Sequence, residues 1–426
     1  MTTAPHRTVS RGARWTIACV ATLAMSVSYI DRQVLAALAQ TVRSALSIDH
    51  QQFGWLLSAF SMAYLVGTPL AGWLVDKVGA RRGLVAAMLV WSAVSASHAF
   101  IGSFAALFAL RIALGAAESP SFPGAAQAIR RSLERRDRAA GFGLLFTGSS
   151  IGSMVAAPLA IALKIHYGWR AAFVVVAIVG LAWLPAWIAV TSGAARRRVL
   201  TESDDTSPAP AVSRAKLLFH PAVARAVVLV VASAPTVMFV INWAPQFLEQ
   251  AFKVPENDIG HYVWVPAVFF DLGAVGIGVL ASRRERDSAA LRSHVDLVIV
   301  AGAMCASLAL EPLARSPWQA VAIASLALAG AGGLFARLTA DMVARVGVGV
   351  TSMATGMTAA AQSLAYIIAA PAVGRAVDAT KSFNGSLLAI GLLVVPGVVA
   401  WAAWPVERPT TAGDDVGRFG VENSDL

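Results

Sequence analysis

Residues 15–38 read WTIACVATLAMSVSYIDRQVLAAL, and residues 104–128 read FAALFALRIALGAAESPSFPGAAQA. Each stretch is long and apolar enough to cross a lipid bilayer, for which about 20 residues suffice. Each also carries an acid and a base where a lipid-facing helix carries neither: Asp31 and Arg32 in the first, Arg111 and Glu118 in the second. An ion at mid-bilayer costs about 2.5–3.5 kcal/mol on insertion scales. Two acids and two bases sum to neutrality, so the pattern predicts a buried, paired cluster facing a cavity. In a membrane protein such a cluster is a site for moving ions or charged solutes.

The rest of the chain agrees with lipid as its solvent. Hydrophobic residues make up 57% of the 426 and charged residues only 14%, against about a quarter charged in a soluble domain. The first 14 residues are short and basic, and the apolar run that follows is too long for the core of a cleavable signal, so it reads as a first span that stays. The net charge of +10 falls in short clusters between apolar segments. A nucleic-acid-binding face needs its bases together on one solvent surface, so nucleic acid is excluded as a partner. Cys19 and Cys305 both lie inside apolar segments and read as packing residues, with no disulfide or metal framework.

Counting apolar stretches gives about twelve segments: 15–38, 53–75, 83–103, 104–128, 139–163, 168–190, 223–248, 260–281, 294–312, 317–340, 346–373 and 384–404. The expectation is an all-α membrane protein with about twelve transmembrane helices in two six-helix, pseudo-symmetric halves. The halves are 1–190 and 223–405, joined by a linker over 191–222 and followed by a tail over 406–426. The linker holds Arg196, Arg197 and Arg198, then acids and a Ser-Pro-Ala-Pro run, a composition that cannot build a core. Lys and Arg crowd every even-numbered connection and both tails, from Arg7, Arg11 and Arg14 through Lys77, Arg81 and Arg82 to Arg408. The odd connections carry scattered singles such as Arg43, Lys164, Arg170 and Lys381. By the positive-inside rule both termini are cytoplasmic, in a bacterial-type plasma membrane.

After the second span comes Gly72-Trp73-Leu74-Val75-Asp76-Lys77-Val78-Gly79-Ala80-Arg81-Arg82. Gly79 permits the tight turn, and Asp76, Lys77 and Arg81 are placed to latch neighbouring helix ends. This pattern resembles the loop signature of the major facilitator superfamily, with Ala80 where a basic residue is common. A degraded copy at Gly278 to Arg284 fits a duplicated fold. Within that superfamily the motifs Ser28-Tyr29-Ile30-Asp31-Arg32-Gln33, Ser58 to Tyr64, Arg111 to Pro123, Gly148-Ser149-Ser150-Ile151-Gly152 and Gly168-Trp169-Arg170 resemble the anion:cation symporter group, especially its hexuronate-transporter-like branch. The likeness is strong over 15–190 and weaker later, at Asp271-Leu272-Gly273 and Thr339 to Met342.

The residues themselves carry a mechanism. Arg111 and Glu118 are seven apart, so they share a helix face about 10 Å apart along the axis and need a partner from another helix to be bridged. Asp31 and Arg32 diverge by about 100°. Arg32 offers a planar fork that matches a carboxylate, which makes it the first candidate for the substrate's acid group. Glu118, set between apolar surroundings and a nearby cation, can exchange a proton near working pH, with Asp31 the second proton candidate and Arg111 the tuning charge. Protonating Glu118 leaves the site at +1 and favours an anion, and each ligand then raises affinity for the other. The resemblance implies these same roles.

Polar groups for substrate hydroxyls are expected at Tyr64, Ser149, Ser150, Asn242, Trp243, Gln246 and Gln362. Tyr64 matches a substrate contact of the resembling group. The serine pair also reads as a small-residue packing face, and Asn242 to Pro245 as a broken-helix element. Asp271, at mid-span, is expected to gate or to serve structure, and Asp341 with Arg337 to form a helix latch. His98, His166, His261 and His294 show no ligand spacing, and Pro120 and Pro123 are expected to kink the fourth span. The expected function is proton-coupled symport of a small organic anion, a sugar acid such as a hexuronate or aldonate, by a monomer that uses no cofactor and is not an enzyme. The rivals are another solute on the same fold (monocarboxylate uptake or drug efflux) and a membrane sensor that binds without transporting.

Overall fold

The computed structural model describes residues 9–201, 219–286, 295–346 and 351–404. Part of the linker, the 406–426 tail, Arg7, His294, Arg408 and the Asp76 side chain lie outside the described groups. The described residues are helical almost throughout and contain no strand. In chain order the first half holds α1 (Arg11–Ala37), α2 (Ala39–Leu46), α3 (His50–Val78), α4 (Ala80–Ser97), α5 (Phe104–Glu118), α6 (Ser121–Ser132), α7 (Arg135–Tyr167) and α8 (Trp169–Val190). The short α9 (Ala194–Thr201) opens the linker. The second half holds α10 (Pro221–Asn242), α11 (Ala244–Phe252), α12 (Val265–Arg286), α13 (Val295–Ala306), α14 (Pro317–Val346), α15 (Thr351–Thr380) and α16 (Asn384–Ala403).

Among the described residues, eleven helical segments are long and apolar enough to span a bilayer by themselves. The twelfth crossing is shared by α5 and α6, of 15 and 12 residues. The expected kink is thus a full break after Glu118. The third and fourth spans are separate, as 83–103 and 104–128 imply: α4 runs out in a 3-10 turn over His98–Phe100, and the Ser103 hydroxyl accepts the Ala106 N–H at 3.2 Å to start α5. One expectation needs correction. The segment 223–248 is not a single span, because α10 stops at Asn242 and α11 starts at Ala244 ahead of Pro245.

Glycine positions explain how the helices approach. Between lipid-bathed helices the drive is close packing, and small residues allow it. A Cβ on Gly148 would lie 2.6 Å from the Thr22 side chain, and one on Gly152 would lie 2.3 Å from the Ser26 carbonyl, so α7 is pressed onto α1. The GSSIG stretch therefore does pack a helix face, through its glycines. Between halves, a Cβ on Gly54 would meet the Ala370 carbonyl at 2.5 Å and one on Gly374 the His50 carbonyl at 2.2 Å. These contacts close α3 against α15 at the end of the bundle remote from the chain termini, called here the far end.

Candidate functional site

The four intramembrane ions sit on α1 and α5, and α1's geometry sorts its pair. Asp31, 1% exposed, turns to α4, where the Ser95 hydroxyl donates to its Oδ1 at 2.6 Å. Arg32, the next residue, turns to α5. Its Nε donates to Glu118 Oε2 at 2.8 Å, and the Ser28 hydroxyl donates to the same oxygen at 2.6 Å. Glu118 is fully buried, while the Arg32 side chain keeps 16% of its surface exposed. Arg32 therefore joins α1 to α5 through Glu118, but no side chain bridges Glu118 to Arg111.

The pair is incompletely satisfied. Arg32 Nη2 and Glu118 Oε1 are both sealed from solvent and have no hydrogen-bond partner. An orphaned charged donor and acceptor are costly unless a ligand or a proton completes them. Three rings wall the guanidinium, with centroids 4.9 Å (Tyr29), 4.8 Å (Phe60) and 4.5 Å (Tyr64) from its carbon. Such stacking orients a planar cation that Lys could not imitate. Arg111, 3% exposed, also lies 4.9 Å from the Phe60 ring centroid and reaches the Leu56 carbonyl at 3.4 Å. It contributes field to the pair without bonding either member.

The other expected positions divide. Tyr64 belongs to the ring wall. Ser149 has the Tyr29 hydroxyl as its polar neighbour, and Ser150 has the carboxylate of Asp271, across the interface on α12. Gln362 on α15 donates to the Tyr366 hydroxyl at 3.3 Å, and Tyr366 lies within electrostatic reach of Arg32 and Tyr29. Asn242 bends its amide back to the Met238 carbonyl at 3.0 Å. Trp243 and Gln246 are corrected. The early end of α10 puts both beyond the site, at the far end. Trp243 is fully buried among Phe53, Phe383 and His50, with centroids 5.7, 6.0 and 6.4 Å away. The Gln246 side-chain oxygen accepts from Arg43 Nη1 at 3.2 Å.

At the terminus end the loop motif does structural work. Gly79 adopts φ 82° between α3 and α4, and Lys77 lies over the Trp73 ring at 3.7 Å. Arg81 Nε donates to the Thr191 hydroxyl at 3.1 Å, which ties α4 to the end of α8. In the second half Asp341 collects Arg345 at 3.1 Å, Arg225 at 3.7 Å and Arg337 at 3.9 Å. The anticipated Arg337 latch is thus the longest of three, and Arg225 from α10, itself over Trp401 at 3.7 Å, makes it inter-helical. His98 is an ordinary buried histidine: its Nδ1 pairs with the Val94 carbonyl and its ring stacks on Phe173.

Sequence reasoning missed a second polar cluster, at the far end. Asp378 on α15 accepts the backbone N–H groups of His50 (3.2 Å) and Gln51 (2.8 Å) and pairs with the His50 ring at 2.7 Å. A carboxylate from one half thus sits on the helix N-terminus of the other, where backbone donors and the helix dipole favour an anion. Glu256 accepts the Thr41 N–H at 3.0 Å and also bonds the Thr41 hydroxyl and Lys164 Nζ. Glu249 on α11 lies beside it. Burial, with Glu256 next in effect, pushes the Glu249 carboxyl up to about 8, against the opposing pull of Lys164 and Arg43. A capping box at Asp49 and Gln52 starts α3, but nothing local signals that Asp378, more than 300 residues away, would dock there.

Twelve crossings among the described residues in two halves, a partly satisfied ion pair buried in the first half, and a sealed far end define a membrane transporter rather than an enzyme. The chain belongs to the Major Facilitator Superfamily, whose model matches residues 21–370. It is similar to the hexuronate transporter of Escherichia coli (strain K12), 27% identical over 65% of this chain and 67% of that one. It is also similar to the probable galactarate/D-glucarate transporter of Bacillus subtilis (strain 168), 24% identical over 93% of each, and to the hexuronate transporter of the same organism, 25% identical over 88% and 90%. Among solved structures, a bacterial homolog of the human lysosomal transporter Spinster, inward-facing and occupied, superposes with a TM-score of 0.75 at 16% identity, covering 92% of this chain and 97% of that one. That likeness is one of fold.

Proposed function

We propose that this protein is a secondary transporter that takes up a sugar-acid anion together with protons by alternating access. The observation that carries the reading is the Arg32–Glu118 pair with one free N–H and one free oxygen. With Glu118 ionised, Arg32 is neutralised by its neighbour. A proton on Glu118 removes that claim on the guanidinium, and the fork then presents a full positive charge to a carboxylate. Proton and anion each favour the other at one site, which is the thermodynamic content of symport. Asp31 and Arg111 set the field around the pair. Tyr64, Ser149, Asn242, Gln362 and Tyr366 supply neutral hydrogen-bonding groups suited to a polyol.

The relatives support the substrate class, since those named above are transporters of hexuronates or of galactarate and glucarate. The charge distribution of the connections supports cytoplasmic termini in a bacterial plasma membrane. The far end then faces outward, and the structure has that outer end shut. The test is uptake into proteoliposomes driven by an inward proton gradient, with hexuronates, aldonates and simple monocarboxylates compared. Accumulation of sugar acids that collapses with a protonophore is the expected result. Binding without flux would instead make the protein a sensor, and flux of monocarboxylates alone would replace the substrate.

A further inference from the structure

Asp271 is a carboxylate at mid-span for which the function so far has no use. Three consecutive residues of α12 face three different neighbours, as a rotation of about 100° per residue requires. Phe270 packs on α14, with its ring 6.2 Å from Phe335 and its carbonyl where a Cβ on Gly332 would lie 2.1 Å away. Leu272 is 58% exposed. Gly273 returns to α14, so close that a Cβ there would sit 1.9 Å from the Ala329 carbonyl. With 270 and 273 clamped, Asp271 has one direction left, toward Ser150 on α7 of the opposite half.

Ser150 adjoins Ser149, whose polar neighbour is Tyr29, and the Tyr29 ring covers the Arg32 guanidinium. Asp271 therefore lies on the second-half wall across from the arginine wall. No ion pair among the described residues includes Asp271. The described bases of the second half are placed elsewhere: Arg225, Arg337 and Arg345 gather on Asp341 at the terminus end, Arg283 is exposed near the same end of α12, Arg375 is exposed near the far end of α15, and Lys253, Arg315 and Lys381 stand at far-end connections. The groups of this half within reach of the arginine, Tyr366 and its partner Gln362, are neutral. One wall offers a cation and the other offers an acid.

We propose that Asp271 selects substrates by charge: it accepts hydroxyl groups of the polyol tail and repels a second carboxylate, so the transporter takes sugar monoacids in preference to sugar diacids. The proposal rests on the sugar-acid reading above and narrows it. A carboxylate accepts hydroxyl hydrogen bonds strongly. The same carboxylate facing a like charge within a few ångströms in a partly desolvated cavity opposes it. A site that binds a diacid tightly needs a second base, and the second-half wall presents none among the described residues.

The test uses three acids on one carbon skeleton: galacturonate, galactonate and galactarate. In proteoliposomes the wild-type protein is expected to favour either monoacid over galactarate by at least tenfold in kcat/KM. Asp271→Asn should narrow that ratio at least fivefold, chiefly by admitting galactarate, while Asp271→Glu restores the preference. Equal wild-type transport of galactarate and galacturonate overturns the proposal and needs no variant to fold. So does an Asp271→Asn protein that slows all three acids equally, the mark of a structural carboxylate. Absence of flux for every sugar acid overturns the transport reading and this inference together, whereas flux with an unchanged ratio overturns this inference alone.

Discussion

The central ion pair and the far-end cluster solve different problems with the same residue types. At the centre, acid and base come from one half: Arg32 on α1, Glu118 on α5, Ser28 on α1. At the far end the partners come from opposite halves. Asp378 and Glu256 from the second half accept from the start of α3, Thr41 and Lys164 of the first. A pair within one half can ride through a rocking motion intact, and its strength is tuned by proton and ligand. A bond between halves must break each time the far end opens, so its strength sets a conformational equilibrium. The centre therefore reports on coupling and the far end on the population of states.

The largest expected effect is at the centre. Glu118→Gln keeps the shape and removes the titrating proton, so proton-driven accumulation should fall by at least 100-fold while counterflow of substrate persists. Retained accumulation would take coupling away from Glu118. Arg32→Lys replaces a stacked fork by a point charge, and loss of one charge-assisted bond of about 1.5–3 kcal/mol predicts a roughly 10- to 150-fold weaker apparent affinity for a sugar acid. An unchanged KM would place the anion elsewhere.

At the far end, Asp378→Ala should shift the balance toward far-end-open molecules. Its bonds are partly exposed, with about a quarter of the side chain in contact with solvent, so about 1–2 kcal/mol is expected, or roughly 5- to 30-fold. Thiol labelling of a cysteine placed at Ser47 or Ser382 would measure it, and an unchanged labelling rate would show that the aromatic box around Trp243 closes this end unaided. Glu249 adds a pH dependence. Its carboxyl is pushed up to about 8 in the closed far end and returns to the ordinary carboxylate range when the end opens. Between those two values only the closed form holds the proton. Closure should therefore weaken as pH rises through that window, by at most tenfold per pH unit, and level off above about 8. Glu249→Gln should flatten the profile. The smallest effect is Ser58→Ala, which removes one bond to the Ile367 carbonyl at 2.9 Å and should move the same labelling rate by roughly two- to tenfold.

Much of the centre was legible because an ion inside an apolar run is conspicuous by its cost. Asp31, Arg32, Arg111 and Glu118 stood out for that reason, and helical spacing alone required an outside partner for Arg111 and Glu118. It could not say that Arg32 would pair with Glu118 while Arg111 bonds neither, because the rotation between Asp31 and Arg32 gives directions only once α4 and α5 are placed. Trp243 and Gln246 were misjudged because hydropathy runs on past Asn242 while the helix does not. The far-end cluster was illegible altogether: His50 and Asp378 are unremarkable span-end residues, and their pairing depends on contact between the halves.

The residue pattern by itself determined the solvent, the number of crossings and the four ions that lipid cannot hold, because hydrophobic length and the cost of buried charge act on each segment independently. Only tertiary structure decided which ions meet, which face is sealed and where the lone Asp271 looks, because those follow from how helices distant in the chain rotate and press against one another.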